Sequence, residues 1–419
     1  VIVIVGGGIT GLSLAHHLAR LGVPHRVLEA AGEPGGVIRS AEVDGHVLDW
    51  GPQRTRLTGP VGELVKELGL EDEVITAPAD LPLFVYAAGK LRVAPFSAAD
   101  FVRSDLLSPA AKLRVLLEPL TGAPRNDESV AALFRRKIGD QAYERLVGPL
   151  YGGLYASDPE DMVVGSSLGR VLAEFGIGRS LLAPLIRRGG RIDPPPAVSF
   201  RRGMQTLPLA LAAHDAANVH LSTPVRRLAR SGDGWRVETD AETLDASAVV
   251  VTVGAAEASR LLADVAPDAA SRIGTLRYNP LAVVHLAADP PPPRGLGFQT
   301  ALGERLRTRG VTFNHHLFAR HGVCTAYLGG AKWPQVEQTP LDELGDIAVA
   351  EFAQVTGSRA RVLSVTRERM PAWDRTWAAL EGITVPPGIH LAANWESRPG
   401  LPGRLAQTRR LAERLGGKS

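Results

Sequence analysis

Val1-Ile2-Val3-Ile4-Val5-Gly6-Gly7-Gly8-Ile9-Thr10-Gly11 opens the chain. The run of β-branched residues predicts a buried parallel strand, and the apolar spacing of residues 12–21 predicts a helix directly after it. Between them each glycine has its own task. Gly6 permits the tight turn, Gly8 lets the backbone approach a pyrophosphate, and Gly11 lets helix and strand pack closely, so that the amides around Gly7, Ile9 and Thr10 face the phosphates. A second strand, residues 26–28, leads into Glu29-Ala30. The Glu29 carboxylate is placed to accept from ribose hydroxyls and would repel a 2′-phosphate, which argues against NADP. A lone G-x-G-x-x-G is weak evidence. Here strand, glycines, helix, strand and acid follow in order, so the stretch reads as a dinucleotide site.

Composition bounds what surrounds that site. A chain of 419 residues is too long for one compact core, so two or three intimately joined domains are expected. Only six of the 47 basic residues are Lys and the net charge is +3. No Lys/Arg run is interleaved with aromatics, so nucleic acid is not an expected partner. The single cysteine, Cys324, excludes an intrachain disulfide and a Cys-based zinc cluster and fits a reducing compartment. His315-His316 with His321 lack a completing carboxylate, and no metal site is expected. No apolar run approaches the ~18 residues that span a bilayer. The chain opens at Val1 already inside a strand, without a signal peptide, so a few preceding residues are expected. A cytoplasmic protein, free or peripheral at the membrane, is the expectation.

Further along, residues 61–70 read as an amphipathic helix, and residues 84–86 and 91–93 flank a hairpin turn at Ala87-Ala88-Gly89-Lys90. Residues 98–182 are helical in pattern, with Ser108-Pro109 a good helix start. Residues 187–196, with Arg187, Arg188, Arg191 and three prolines, break that pattern as a mobile loop. Residues 207–213 are helical, 219–225 read as a strand returning to the nucleotide domain, and 235–239 and 244–252 read as strands around Gly232-Asp233-Gly234. Residues 281–286 and 323–328 read as strands of a second sheet, and 388–414 as a strand, a loop and a helix. The fold class is α/β, or α+β with interleaved domains: a Rossmann-like nucleotide domain, a mixed-sheet domain and a helical insertion.

Gly35-Gly36-Val37 and Asp49-Trp50-Gly51-Pro52 extend the opening pattern as flavoproteins of the amine oxidase and desaturase superfamily do, a resemblance that favours FAD over NAD. More specific motifs lie downstream. Gly89-Lys90-Leu91-Arg92, Gly153-Leu154-Tyr155-Ala156-Ser157-Asp158-Pro159, Phe200-Arg201-Arg202-Gly203-Met204-Gln205, Tyr278-Asn279-Pro280, Tyr327-Leu328-Gly329-Gly330-Ala331 and residues 394–402 resemble those of protoporphyrinogen and coproporphyrinogen oxidases. These are FAD enzymes that aromatise porphyrinogens in haem synthesis. The resemblance implies an FAD domain of residues 1–75, 198–240 and 385–419, a substrate domain of 76–95 and 241–384, and a helical insertion of 96–197, with a membrane-facing subdomain as one expectation for it. It implies that Gly6 to Gly11 hold the FAD pyrophosphate and Glu29 with Ala30 the adenosine ribose. Gly35, Gly36 and Val37 would line the path to the flavin, with Gly51, Pro52, Gln53 and Arg54 near its ring. Val225, ending the returning strand, would touch adenine, while Asn394, Trp395, Pro399, Gly400 and Leu401 would face the flavin pyrimidine edge, where a helix N-terminus favours the negative charge of reduced flavin.

On the substrate side, Gly153 to Asp158 match the loop that offers carbonyls to pyrrole N–H groups, with Ser157 where glycine is common. Leu83 stands where plant and animal members carry a propionate-anchoring arginine, and Arg398 and Pro399 replace small or aliphatic residues. Arg54 or Arg56 is the candidate carboxylate anchor, and Arg92 reads as a surface hairpin residue. No catalytic side chain is expected: the resemblance implies that flavin takes hydride from a meso carbon and molecular oxygen reoxidises it to yield peroxide. The substrate would be coproporphyrinogen III or protoporphyrinogen IX, the first slightly favoured, and a haem-pathway enzyme is an expected partner. A flavin amine oxidase or polyene desaturase is the alternative; against amine oxidation, residues 281–286 carry no lysine and no C-terminal cysteine is present to hold flavin covalently. A tetrapyrrole-binding flavoprotein without turnover is a third reading. The helix over residues 110–120 reads first as core and second as a membrane face. Trp395 is a candidate for stacking on flavin or tetrapyrrole, Trp373 and Trp377 read as core packing, and Cys324 as inert core.

Overall fold

The protein is described by a computed structural model over residues 1–174, 176–187, 195–396 and 400–417. The central part of the expected loop at 187–196 and the motif positions Arg398 and Pro399 lie outside the described residues. The chain forms two compact units, the first from Val1–Ala77, Pro195–Leu276 and Ala379–Ser419, the second from Pro78–Pro194 and Arg277–Ala378.

The first unit is built on a five-stranded sheet in which all neighbours are parallel. Ile2–Val5 is its central strand, fully buried, between His25–Leu28 on one side and Ala248–Val251 on the other. Val219–His220 and Ile389–Leu391 are the edges. This burial on both faces is why the strand is a continuous β-branched run rather than an alternating one. The helix Ile9–Arg20 and the C-terminal helix Leu401–Leu415 pack side by side. Leu12 meets the cluster of Leu401 and Leu405, the Ser13 hydroxyl donates to Thr408 Oγ1 at 3.0 Å, and Leu14 and Leu18 meet Leu411 and Ala412. The pairing runs in step from both starts, so the two helices are parallel. Their N-termini therefore lie together at the carboxyl edge of the sheet, where open α/β sheets hold ligands.

The run 244–252 splits between two sheets. Thr243–Ala246 joins an antiparallel sheet with Val225–Ser231 and Gly234–Thr239, and Ala248–Val251 enters the parallel sheet. Ser247 makes the break, its amide and hydroxyl both reaching the Val1 carbonyl, at 2.9 and 3.1 Å. Residues 241–276 thus belong to the first unit and not to a substrate domain. The strand returning beside His25–Leu28 is Val219–His220, so Val225 heads the separate antiparallel sheet instead of ending that strand.

The second unit carries a seven-stranded mixed sheet in the order Arg359–Pro371, Tyr278–Asp289, Val323–Gly329, Thr308–Thr312, Gly297–Thr300, Leu83–Ala87, Lys90–Val93. One face, with Ala282, Val284, Leu286, Cys324, Ala326 and Leu328, packs on Leu344, Ala348 and Phe352 of the helix Leu341–Thr356. Leu281 and Val283, of opposite parity, pack with Ala156, Tyr327 and Met370. Each fully buried Leu, Ile or Val contributes roughly 1.5–3 kcal/mol before entropy is charged. The helical insertion belongs to this unit instead of standing apart. It is pinned by a fully buried ion pair, Lys137 Nζ to Glu118 at 2.8 Å, with Ser180 Oγ (2.6 Å) and the Leu181 amide (3.0 Å) donating to the same carboxylate.

The helix Pro109–Leu116 is capped as its sequence predicts, Ser108 Oγ accepting from the Ala111 amide at 3.2 Å. It is not a core helix. Val115 is its one buried residue, whereas Leu113 and Leu116 are 59% and 62% exposed, as are Leu117 (43%) and Leu120 (75%) just beyond it. Among the described residues, no helix is long and apolar enough to cross a membrane.

Candidate functional site

In the first unit the opening glycines make a gap rather than a plain turn. Gly6 has φ +111°, a conformation only glycine adopts freely, and Thr252 Oγ1 pins the turn by donating to the Val5 carbonyl at 2.8 Å. A Cβ on Gly11 would stand 2.0 Å from the Gly6 carbonyl oxygen, so strand and helix touch there through backbone alone. Gly8 is the N-cap of Ile9–Arg20, and among the described residues no side chain caps that helix, which leaves its first-turn amides without a capping partner. Gly35 comes to the same place, its amide donating to the Gly7 carbonyl at 2.9 Å and its backbone forming a bridge with Gly8. A Cβ on Gly8 would meet only the Gly35 oxygen at 3.9 Å and Gly36 Cα at 4.0 Å. The space left beside free amides is one that any side chain would fill, and it suits a phosphate. The Glu29 carboxylate accepts from the amides of Gly7 (2.5 Å) and Ala31 (2.8 Å), which leaves lone pairs for hydroxyl donors. The residues present therefore fit a dinucleotide, and Gly6, Gly7, Gly8, Ile9, Thr10, Gly11, Glu29, Gly35 and Gly36 are brought together as their sequence positions predict.

What holds the second glycine pair was not read from the sequence. Gln205 accepts from the Ser40 amide at 2.8 Å and donates to the Pro34 carbonyl at 3.2 Å, while Asp49 accepts from Ser40 Oγ (2.5 Å) and the Met204 amide (2.8 Å). A Cβ on Gly203 would lie 2.4 Å from Ser40 Cβ. The stretch Gly203-Met204-Gln205 is thus a brace for Gly35-Gly36, and its occurrence as a motif was the one available signal.

Several expected cofactor contacts have other tasks. Gln53 is buried and donates to the carbonyls of Asp49 (2.5 Å) and Gly51 (3.4 Å), so its side chain holds its own turn. Gly51 touches residue 37, a Cβ there falling 2.0 Å from the Val37 oxygen, while Val37, Pro52 and Arg54 are exposed. Trp395 is 0% exposed and its indole N–H donates to the Val253 carbonyl at 3.0 Å; it wedges the core and presents no face for stacking. The Val225 carbonyl accepts from Arg260 at 2.8 Å. Asn394 Oδ1, by contrast, is buried and has no hydrogen-bond partner among the described residues, which suits an incoming N–H donor. Gly400, with φ +117°, caps Leu401–Leu415 without a side-chain bond, and the buried Arg404 guanidinium, donating to the Ala393 carbonyl, anchors that helix start.

In the second unit three motifs distant in sequence meet. The helix Gly148–Tyr155 ends at Ala156, a non-glycine residue in the left-handed region (φ 52°, ψ 24°). The Ala156 carbonyl accepts from the Ala331 amide at 2.8 Å, and a Cβ on Gly330 would stand 2.5 Å from that oxygen. Ser157 is buried, and its hydroxyl donates to the Ala372 carbonyl (2.5 Å) and accepts from Asn279 Nδ2 (3.1 Å). A Cβ on Gly153 would fall 1.9 Å from Gln299 Oε1, so the helix lies directly on Gly297–Thr300. Ser157 thus serves the loop and turns no hydroxyl outward. Leu83 packs with Val85 and Leu106 and offers no charge.

The remaining candidates are structural. Arg56 donates to the Pro195 carbonyl at 3.0 Å, and burial pulls its guanidinium below its ordinary pKa. Arg92 pairs with Asp105 at 3.1 Å on its hairpin. His315 and His316 lie in the helix Asn314–Phe318, not on a strand, and accept from the Gly322 amide (3.0 Å) and face the Pro292 carbonyl (2.9 Å) respectively. Among the described residues no group of His, Cys, Asp and Glu is arranged to hold a metal. Trp373 and Trp377 stack in the core at 5.2 Å, and burial pushes the Cys324 thiol well above its usual range.

The chain is similar to protoporphyrinogen oxidase 1, chloroplastic, of Spinacia oleracea, 28% identical over 395 residues that make up 84% of this chain and 70% of the relative. It is 26% identical to protoporphyrinogen oxidase of Homo sapiens over 412 residues, 88% of this chain and 85% of that one. The solved structure of a candidate protoporphyrinogen oxidase from Exiguobacterium sp. 255-15 shares the fold, with a TM-score of 0.80 at 21% identity over 100% of this chain and 99% of that chain. The flavin containing amine oxidoreductase family matches residues 9–397, and the chain belongs to that family.

Proposed function

We propose that this protein is an FAD-dependent oxidase that converts a porphyrinogen to the porphyrin, with molecular oxygen as the acceptor. The observation that carries the reading is the extent of similarity to protoporphyrinogen oxidases, 84% of this chain in the spinach comparison. The gap at Gly8, Gly35 and Gly36 and the buried Asn394 oxygen, without a hydrogen-bond partner among the described residues, support a flavin dinucleotide in the first unit. When bound, the flavin supplies the two-electron acceptor that the chain's own side chains lack. The chain's residues do the rest. First-turn amides of Ile9–Arg20 hold phosphate, Glu29 accepts from ribose hydroxyls, and Asn394 Oδ1 accepts an N–H. In the second unit, the end of Gly148–Tyr155 presents last-turn carbonyls, acceptors matched to pyrrole N–H donors. Orientation and exclusion of water, not a side-chain acid or base, then govern the rate.

The substrate is coproporphyrinogen III or protoporphyrinogen IX, and the exposed apolar side chains at Leu113, Leu116 and Leu120, beside Lys112, support a peripheral membrane contact. The test is the initial rate on each porphyrinogen under air, followed by porphyrin fluorescence with the FAD-loaded protein. Turnover of either supports an oxidase, and the ratio reports the substrate. A holoenzyme that oxidises an amine and leaves both porphyrinogens unchanged would overturn the reading in favour of amine oxidation.

A further inference from the structure

We infer that Ser157 and Asn279 are positioning residues that fix the end of the helix Gly148–Tyr155, and with it the carbonyls that receive the substrate's N–H donors. The inference rests on the substrate reading above and deepens it. Ala156 is held in a left-handed conformation that is unfavourable for a non-glycine residue, so surrounding contacts must impose it. Those contacts come from three strands. Asn279, at the start of Tyr278–Asp289, donates to Ser157 Oγ at 3.1 Å; Ser157 Oγ donates to the carbonyl of Ala372, just past Arg359–Pro371, at 2.5 Å. Ala331, just past Val323–Gly329, donates to the Ala156 carbonyl at 2.8 Å.

The consequence concerns direction. With Ala156 turned left-handed, its own carbonyl is spent on Ala331, and the chain leaves the helix axis instead of continuing over the last turn. Last-turn carbonyls of a helix have no partner within it and carry the negative end of the helix dipole. They are therefore good acceptors for a ligand bearing several N–H donors, provided that the turn after them stays where it is. A glycine at 157 would leave the Asn279 amide and the Ala372 carbonyl without their bridge. Serine supplies the donor and the acceptor in one hydroxyl.

The test uses full-length, FAD-loaded protein with Ser157→Ala, Ser157→Thr, Asn279→Leu and the Ser157→Ala/Asn279→Leu double variant. Each single loss of the bridge is expected to raise KM for the porphyrinogen about five- to tenfold, the loss of one buried hydrogen bond, with flavin content unchanged. Ser157→Thr, which keeps the hydroxyl, should restore KM, and the double variant should be no worse than the more impaired single one, since both break one bridge. Unchanged KM in Ser157→Ala and Asn279→Leu, or additive losses, would overturn the assignment; if Ser157→Ala does not fold, Asn279→Leu decides alone. Amide exchange at Ala331 separates this failure from failure of the function itself. If the wild type oxidises no porphyrinogen, the functional reading falls, while faster Ala331 exchange in the variants still upholds the clasp and unchanged exchange refutes it.

Discussion

Gly8 and Gly11 are close in sequence, yet a side chain at each fails for a different reason. At Gly11 the added Cβ would lie 2.0 Å from the Gly6 oxygen, a backbone atom that has no rotamer by which to yield. Gly11→Ala is therefore a folding variant. Overpacking of this kind typically costs about 1–3 kcal/mol, and the melting temperature of the flavin-free protein should fall with it. At Gly8 the backbone is ordinary, φ −74° and ψ 175°, and nothing stands nearer to a Cβ than 3.9 Å. Gly8→Asp should leave flavin-free stability within about 0.5 kcal/mol but place bulk and negative charge where the phosphates belong, so that the purified protein is colourless. Thermal melts of the flavin-free forms, together with flavin absorbance after purification, distinguish the two. A yellow, fully loaded Gly8→Asp protein would refute the phosphate site.

Among helices, the packing of Ile9–Arg20, Gly59–Glu67 and Leu401–Leu415 carries a pH dependence of its own. They border a crevice lined by His17, Arg20, Glu63, Glu67, Arg409 and Glu413. Burial lowers the His17 pKa from 6.5 to about 4; the neighbouring His16, Arg409 and Arg20 act in the same direction and Glu67 opposes them. In the unfolded chain His17 takes up its proton near 6.5, in the folded chain only near 4. Between those values the unfolded state binds more protons, so stability is fully present above 6.5 and declines as pH falls toward 4. His16 bonded to Glu67 at 2.8 Å, and Arg20 bonded to the same carboxylate, hold Glu67 below its usual range, so its own contribution is lost only at lower pH. His17→Gln is expected to flatten the fall in melting temperature from about pH 7 to about pH 5. An identical fall in variant and parent would show that His17 does not carry it.

Across the whole molecule, legibility in sequence followed the range of the interactions. The opening strand, the glycine turn and Glu29 were readable because their constraints are local, a buried β-branched run and contacts that exclude a Cβ. Ser157 was readable only as an oddity, since its partners Asn279 and Ala372 come from strands more than a hundred residues away. The same holds for Gln205 bracing Ser40 and Pro34, and for Trp395, whose indole partner is Val253. The division at residue 247 escaped because a single residue separates Thr243–Ala246 from Ala248–Val251, and it is the bond of Ser247 to the Val1 carbonyl that marks where one sheet ends and the other begins. These long-range ties make the first unit a composite of Val1–Ala77, Pro195–Leu276 and Ala379–Ser419. A flavin dinucleotide that engages the start of Ile9–Arg20, the Gly35-Gly36 gap and Asn394 must therefore stabilise chain segments from both ends of the sequence at once. Linkage gives about 2.7 kcal/mol at a hundredfold excess over Kd. On adding FAD, amide exchange is expected to slow at residues 6–11, at 35–37 and in the first turn of Leu401–Leu415, while Leu341–Thr356 of the second unit keeps its rates. Slowing confined to the N-terminal glycines would leave the dinucleotide site standing and remove Asn394 and Leu401 from it.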